Sequence, residues 1–306
     1  MHTPPAQAPP FGLWTRRLLL VNLVAQVGIV VSGGLVRLTG SGLGCPRWPE
    51  CTDGSLVPIA NQPQGFHKLI EFGNRTLTFA LVAVAGAALV ATVLAVRRSQ
   101  PRRWRLVALA GTVVAGIFGQ AIIGGLSVLT GLNPLLVGAH LLLSVGIIAA
   151  AFVLWHRSGE PGGPRRVVVR PELRVLAGLL VVLAVTVLVL GTLVSGSGPH
   201  SGDANAVHRL PFDPRYISWL HADVVILFVG LSVAFWLGAR LTAAAPGVLT
   251  RAGWLLTALV LQAGIGYLQF FTGLPWGLVA LHMLGACLVW LATLAVLLST
   301  REPIDA

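Results

Sequence analysis

The hydrophobic positions of this chain are gathered in long uncharged runs, separated by short segments that carry arginine, proline and glycine. Five of these runs contain no Asp, Glu, Lys or Arg at all: 18–36, 76–96, 106–132, 135–155 and 175–202. Each is close to or above the roughly 20 apolar residues that a helix needs to cross a bilayer. The pattern predicts an all-α integral membrane protein that crosses the membrane several times.

The positions of the runs predict eight transmembrane helices. Their expected bounds are about 14–38, 68–96, 104–128, 134–155, 173–195, 216–239, 250–271 and 276–298. Arg16 and Arg17 precede the first run, as basic residues precede the apolar core of a signal peptide. No small-residue cleavage site follows in a favourable place, and seven further runs do follow. We therefore expect the first run to remain as an uncleaved helix.

Composition and charge narrow the possible partners. The chain is 55% hydrophobic and 10% charged, whereas soluble domains carry about 25% charged residues. The net charge of +11 would suit a nucleic-acid-binding protein, but the basic residues lie in short clusters between the runs and not on one face of a folded domain. This distribution argues against nucleic acid as a partner and favours the anionic head groups of a lipid bilayer.

The basic residues also predict an orientation in the cell membrane. Fifteen of the 21 lie on one side, in or beside the N-terminal segment, the segments after the second, fourth and sixth predicted helices, and the C-terminal segment. Segments rich in Lys and Arg face the cytoplasm. We therefore expect both termini to be cytoplasmic and the long segments 39–66 and 197–215 to lie outside.

The two halves of the chain repeat each other. The stretch from Gln120 to His140 matches the stretch from Gln262 to His282 at a constant separation of 142 positions, and Gly-Ser-Gly at 40–42 has a weaker counterpart at 196–198. Four helices per repeat give both halves the same orientation, related by an axis along the membrane normal. We predict two four-helix bundles, with Gln120 and Gln262 bonding between helices. The expected division is an N-terminal half at 1–155, a cytoplasmic linker at 156–172 and a C-terminal half at 173–306.

Three histidines lie inside predicted helices. His140, His221 and His282 are each five to seven residues from the outer end of a helix, about 8–10 Å deep. Imidazole in hydrocarbon is costly and usually marks a function, although a single histidine can simply pack against a carbonyl group. His221 and His282 belong to the same half, where two neutral imidazoles suit the two axial positions of a heme iron. Zinc fits less well, since a catalytic zinc site commonly takes three protein ligands.

The first half is expected to be less symmetric. The position that corresponds to His221 is near Asn74, which is a poor iron ligand. His67 shares the helical face of Asn74 but lies about two turns further out. The first half therefore predicts a site with His140 on one side and an open or weakly held opposite side. Such a site suits chemistry on a bound molecule, whereas a doubly ligated heme suits electron transfer.

Charged residues near this site have two interpretations each. Glu71 is spaced for an ion pair with Arg75, and it is equally well suited to accept a proton or stabilise positive charge during a reaction. Arg37, Arg75 and Arg215 are candidates for pairing with heme carboxylates at the outer boundary. The alternative is that these arginines only extend their head groups to the membrane surface.

Two cysteines, Cys45 and Cys51, lie six positions apart in the first external segment. In an oxidising compartment such a pair can close a small disulfide loop. A structural role and a redox-active role both remain open for it. Cys287, alone among apolar residues, is expected to be an inert buried thiol.

Taken together, these motifs resemble the heme A synthase family. The resemblance rests on residues 40–51, on Glu-Phe-Gly-Asn-Arg at 71–75, on the two stretches 120–140 and 262–282, and on His221. It spans nearly the whole chain. Membership implies an eight-helix protein made of two four-helix halves. It also implies an oxidoreductase that converts the C8 methyl group of heme O to a formyl group, giving heme A for cytochrome oxidase.

The resemblance also implies roles for individual residues. His221 and His282 match the iron ligands of a bound heme b, His140 matches a histidine of the heme O site, and Glu71 matches the catalytic carboxylate. Cys45 and Cys51 match the external cysteine pair, and Arg75 belongs to the substrate-site motif. Asn74 departs from the Glu-x-x-His-Arg pattern of many members, which suggests coordination of heme O by His140 alone or with help from His67. A second external cysteine pair, found in some members, is absent from 197–215.

Other functions and partners stay open at this point. A b-type heme electron carrier without substrate chemistry has the same histidines, and a transporter has similar parallel repeats. The sequence leaves undecided whether heme O is handed over by the heme O synthase (the protoheme farnesyltransferase), which redox partner is used, and whether the chain forms a homo-oligomer.

Overall fold

The computed structural model describes residues 9–99, 101–203 and 208–304, and within them the chain forms eight long α-helices and one two-stranded sheet. The helices are α1 (Leu13–Leu38), α2 (His67–Arg98), α3 (Trp104–Leu129), α4 (Pro134–Ser158), α5 (Pro171–Ser197), α6 (Pro214–Leu241), α7 (Pro246–Phe271) and α8 (Trp276–Ser299). Each of these is long and apolar enough to cross a membrane. The prediction of an all-α membrane protein with eight spans is confirmed.

Several helices begin earlier than the hydrophobic pattern predicts. α5, α6 and α7 start at Pro171, Pro214 and Pro246, two to four residues before the expected positions. Proline suits the first turn, because its fixed φ is helical and the amide it lacks would have no partner there. Asn133 and Asp213 cap α4 and α6 by accepting hydrogen bonds from backbone amides. Proline in these first turns, with a charged residue beside it in α5 and α6, interrupts the apolar pattern, so hydropathy alone does not reveal where the helices begin.

The helices pack in two groups of four. α1 packs on α2 and α4, and α3 packs on α2 and α4; in the second half, α5 and α7 each pack on α6 and α8 in the same way. The groups meet where α8 contacts α1 and α4, and where α4 contacts α5. At this junction the indole Nε1 of Trp290 donates a buried hydrogen bond of 3.1 Å to the carbonyl of Val145. The packing is compatible with the predicted pair of four-helix bundles.

A short sheet joins the α4–α5 connection to the C-terminal segment. β1 (Arg165–Val167) pairs antiparallel with β2 (Arg301–Pro303), and the guanidinium of Arg166 donates to Glu302 at 2.8 and 2.5 Å. Strands of three residues carry no periodic signal, so the sequence did not predict them. The pairing requires the α4–α5 connection and the chain end to lie on the same side of the helices, as an even number of intervening spans demands.

The turns before α4 and α8 have the same conformation. Gly131 and Leu132 have φ of 62° and 62°, and Gly273 and Leu274 have φ of 77° and 60°. In both turns the leucine amide donates a 2.7 Å hydrogen bond to the carbonyl five residues earlier. Positive φ is uncommon for leucine, since its Cβ crowds the backbone there. The same unusual turn therefore occurs at the matching place in both repeats.

Candidate functional site

Two of the intramembrane histidines have matching surroundings. His140 is the seventh residue of α4 and His282 the seventh of α8, about 9 Å along the helix axis at ~1.5 Å per residue. A Cβ built on Gly124 of α3 would lie 3.0 Å from Cε1 of His140, and one on Gly266 of α7 would lie 3.2 Å from Cε1 of His282. Each imidazole thus lies against a helix backbone that only glycine leaves open.

His221 and Asn74 form a second matching pair. His221, the eighth residue of α6, lies beside Gly191 of α5, where an added Cβ would be 3.5 Å from Cε1. In the first half, Nδ2 of Asn74 on α2 lies 4.0 Å from a Cβ built on Gly33 of α1. Asn74 thus lies beside a glycine of α1 much as His221 lies beside a glycine of α5, and the equivalence of positions 74 and 221 stays a prediction. Ser32 donates a 2.8 Å hydrogen bond to Oδ1 of Asn74 and holds it toward α1.

The imidazoles have unused coordination capacity. Nδ1 of each of the three histidines, His140, His221 and His282, is buried and makes no hydrogen bond of normal geometry. The carbonyl of Val187 is close enough to His221 to interact with it, which is the arrangement that often orients a metal-bound histidine. His221 also lies within electrostatic range of His282.

These two histidines of the second half fit a heme. α6 and α8 lie diagonally across the second group, since each packs on both α5 and α7, and a bundle core between facing helices is a common place for a cofactor. Within 9–99, 101–203 and 208–304, no three His, Cys, Asp or Glu side chains are grouped as a metal ion held by protein alone would require. A pair of partly buried imidazoles on opposite helices suits the binding of a heme iron better than a zinc site.

Glu71 is buried beneath the first external loop, with 5% of its surface exposed. Its Oε2 accepts a 2.6 Å hydrogen bond from the amide of Cys45. Its Oε1 accepts two hydrogen bonds from Arg75, from Nε at 3.0 Å and from Nη2 at 2.5 Å. The predicted ion pair is confirmed, and the catalytic role remains a prediction.

Arg75 fastens the same loop to α2. Its Nη1 donates to the carbonyl of Glu50 at 2.9 Å, and its Nη2 donates to the carbonyls of Cys45 and Arg47 at 2.8 and 3.1 Å. With the bonds to Glu71, all three nitrogens of the guanidinium are engaged. A contact between Arg75 and a heme carboxylate stays a prediction, and it would have to replace one of these bonds.

Cys45 and Cys51 close the loop. Their Sγ atoms are 2.03 Å apart and both residues are fully buried, so the predicted disulfide is present. Between them, the indole ring of Trp48 lies directly on the backbone of Gly125 in α3. Gly125 directly follows Gly124, the glycine that contacts His140, so the disulfide loop, residues 45–51, docks on α3 next to the contact with the first-half histidine. Sequence reasoning missed Trp48, although the repeat held a signal: the position equivalent to Gly125 is Tyr267.

Comparison with known proteins identifies the family of this chain. The family model for cytochrome oxidase assembly proteins, COX15-CtaA, matches residues 16–294. The chain belongs to this family. It is 27% identical to the heme A synthase of Listeria monocytogenes over 299 aligned positions, covering 90% of this chain and 93% of that protein. It is 35% identical over 144 residues to the heme A synthase of Lysinibacillus sphaericus, covering 45% of this chain and 44% of that protein.

In this cytochrome oxidase assembly protein, His67 lies at the outer end of α2. It is the first residue of the helix, its Nδ1 forms a 2.9 Å hydrogen bond with the hydroxyl of Ser41, and its ring stacks on Phe66. It is seven positions before Asn74, as predicted. Its role as a heme ligand stays a prediction, and it would use Nε2, since Nδ1 is bonded to Ser41.

The other two candidate arginines of this family member differ in their surroundings. Arg37 at the end of α1 donates 2.7 Å hydrogen bonds to the carbonyls of His200 and Ser195, so it links the first half to the α5–α6 connection. Arg215 is exposed and lies over the ring of Trp219. Cys287 is a buried free thiol, as expected.

Proposed function

We propose that this protein is a heme A synthase, an oxidoreductase that converts the C8 methyl group of heme O to a formyl group. One observation carries the proposal: the family member has two histidine sites built on the same glycine contacts, and only one of them has an imidazole on both sides. His221 and His282 provide the two-sided site, and His140 of α4 provides the other, where we place Asn74 of α2 on the opposite side. One site suits a resident cofactor and the other an exchangeable substrate.

In the second half, His221 and His282 would hold heme b as a cofactor. Held by these two histidines, heme b would supply one-electron transfer. The chain's own contribution is to keep both rings neutral and oriented. Gly191 and Gly266 leave room for the rings, and the carbonyl of Val187 is available to the His221 ring.

In the first half, His140 would bind the iron of the substrate, heme O. Asn74 is held toward α1 by Ser32, so the opposite side carries no strong ligand. Weak ligation on one side permits the substrate to enter and the product to leave. The disulfide loop docks beside this site, since Trp48 lies on Gly125 and the ring of His140 lies against the preceding residue, Gly124.

The reaction requires two successive oxidations of the methyl carbon of heme O, each by two electrons. In the first, water adds its oxygen to give an alcohol, and in the second, water adds again to give a gem-diol, which loses water to leave the formyl group. Each oxidation passes two electrons to the redox partner and releases two protons, which must be accepted nearby. Oε2 of Glu71 has only the amide of Cys45 as a donor, and a carboxylate oxygen has capacity for a second. Glu71 is therefore the proposed proton acceptor, and its charge stabilises a cationic carbon next to the porphyrin ring.

The proposal includes a location in the cell membrane with both termini in the cytoplasm. The excess of arginine on one side supports it, and so does the pairing of β1 with β2, which keeps the C-terminal segment beside the α4–α5 connection. The proposed partners are the lipid bilayer, the substrate heme O and a redox partner that takes up the electrons. Heme O would be delivered by the farnesyltransferase that makes it, and a homo-oligomer is compatible with this scheme.

The test uses the full chain, produced in cells that also make heme O and purified in mild detergent. A reduced-minus-oxidised spectrum is recorded, and the hemes are extracted with acid and identified by mass. Heme B together with heme O, its alcohol or heme A supports the synthase. Heme B alone supports the alternative, a b-type electron carrier. Absence of heme overturns both.

A further inference from the structure

Two glutamines hold the backbone of the intramembrane histidines from the neighbouring helix. Nε2 of Gln120 on α3 donates a 2.9 Å hydrogen bond to the carbonyl of His140 on α4. Nε2 of Gln262 on α7 donates a 2.8 Å hydrogen bond to the carbonyl of His282 on α8. The predicted interhelical bonds are therefore present, and in both repeats the acceptor is the histidine itself.

The same helix face also contacts the imidazole ring. Gly124 lies four residues after Gln120, and Gly266 lies four residues after Gln262. Positions i and i+4 of a helix share one face. α3 and α7 thus contact each histidine twice, with an amide on its carbonyl and a glycine backbone against its ring. The two contacts together restrain the position of the histidine and the rotation of its side chain.

We propose that Gln120 and Gln262 are positioning residues, which set where the imidazoles of His140 and His282 meet a heme iron. The inference rests on the proposed function, since it takes these histidines as heme ligands. It goes beyond that function by assigning a task to two residues that touch neither iron nor reacting atoms.

Each glutamine directs its amide donor at the histidine. Within the described residues, Oε1 of Gln120 and Oε1 of Gln262 are both buried and accept no hydrogen bond from the protein. The Nε2 bond to the histidine carbonyl is therefore the polar contact that the two glutamines share, and it acts directly on the position of the histidine.

The two halves support their glutamines differently. In the first half, Nε2 of Gln120 also donates to the hydroxyl of Ser144 at 2.6 Å. The equivalent position in the second half is Ala286. There the side chain of Gln262 lies against Gly285, where a Cβ would overlap its Oε1. The position of the Gln262 side chain therefore depends on the absence of a Cβ at Gly285. A substitution at Gly285 thus disturbs Gln262 without changing the glutamine itself.

The experiment compares the wild-type chain with Gln262→Met and Gly285→Ala, both loaded with heme b. Methionine keeps the length of the side chain and removes the donor, and an alanine at 285 displaces the amide without removing it. We expect both variants to retain heme B and to show a shifted low-spin electron paramagnetic resonance signal. We also expect the affinity of the reduced protein for carbon monoxide to rise about tenfold, because the loss of one hydrogen bond weakens the hold on His282 by a corresponding free energy.

Gln120→Met is the matched control, because it makes the same change in the other half. It should leave the heme b signal unchanged. If either variant of the second half retains heme B with the wild-type signal and carbon monoxide affinity, or if Gln120→Met alters heme b equally, the positioning role is overturned. If the wild-type chain itself shows no low-spin heme, the proposed function fails instead.

Discussion

The indole ring of Trp48 lies on the backbone of Gly125, so close that even a methyl group at Gly125 would overlap it. The equivalent residue of the second half is Tyr267, whose side chain is exposed and stacks on Phe271. The close contact with Trp48 thus uses a glycine that the first repeat has at this position and the second does not. Since Gly124, the preceding residue, contacts His140, the external loop docks next to the site where we propose that substrate is bound.

Gly125→Tyr, which copies the second half, should displace Trp48 and loosen the disulfide loop while leaving the helices intact. The measurement is the rate at which trypsin cleaves the loop after Arg47, and the two fragments are separated by reducing the disulfide afterwards. If the substitution removes ~1.4 kcal/mol of docking free energy, this rate should rise about tenfold. Tyr267→Gly is the control and should not change this rate. An unchanged rate in Gly125→Tyr would show that the loop is held without Trp48.

His221→Ala and His282→Ala should each remove the low-spin heme signal, because each takes away one of the two imidazoles of the second-half site. The measurement is the absorbance and paramagnetic resonance spectrum of the purified protein. Asp223→Asn is the control, since Asp223 is exposed and only two residues from His221. Retention of the wild-type signal in either alanine variant would remove that histidine from the ligand set.

Glu71 has both a structural and a proposed catalytic task, and two variants separate them. Glu71→Gln keeps an oxygen that can accept from the amide of Cys45, whereas Glu71→Ala removes it. If the carboxylate takes a proton, both variants should retain heme and lose formyl formation by about 10²–10⁴-fold. Products are measured by mass after acid extraction. Formyl formation in Glu71→Gln, with loss only in Glu71→Ala, would reduce Glu71 to an anchor of the loop.

Asn74→His should give the first half a second imidazole, because Asn74 faces Gly33 as His221 faces Gly191. We expect heme O added to this variant to become low-spin and to leave the protein more slowly than from the wild type. A titration with heme O followed by absorbance measures both effects, with Asn74→Ala as the control. A spectrum identical to that of Asn74→Ala would contradict the proposed equivalence of positions 74 and 221.

Gly266→Ala should weaken heme b binding, since the added Cβ would lie 3.2 Å from the ring of His282 and overpacking of this kind costs about 1–3 kcal/mol. Gly191→Ala places its Cβ 3.5 Å from the His221 ring, an ordinary contact. The measurement is the ratio of bound heme to protein after dilution. This ratio should fall below the wild-type value in Gly266→Ala and stay at the wild-type value in Gly191→Ala. Equal losses would mean that the ring positions are not set by these glycines.

Hydropathy and the internal repeat determined much of this protein before any contact was known. Uncharged runs located the eight spans, because burying charge in a bilayer is costly. The constant separation of Gln120 and Gln262, and of His140 and His282, located the corresponding sites. The spacing of Glu71 and Arg75 predicted their ion pair, since residues four apart meet on a helix surface.

Only the tertiary structure decided which distant residues meet. Arg75 binds three carbonyls that lie 25 to 30 positions earlier in the chain. Trp48 lies on Gly125, and β1 pairs with β2. Hydrophobic periodicity reports which face of a segment is buried, and not which loop conformation brings a donor to a particular acceptor. Those contacts depend on packing between segments far apart in sequence, and they have no local pattern by which the sequence alone reveals them.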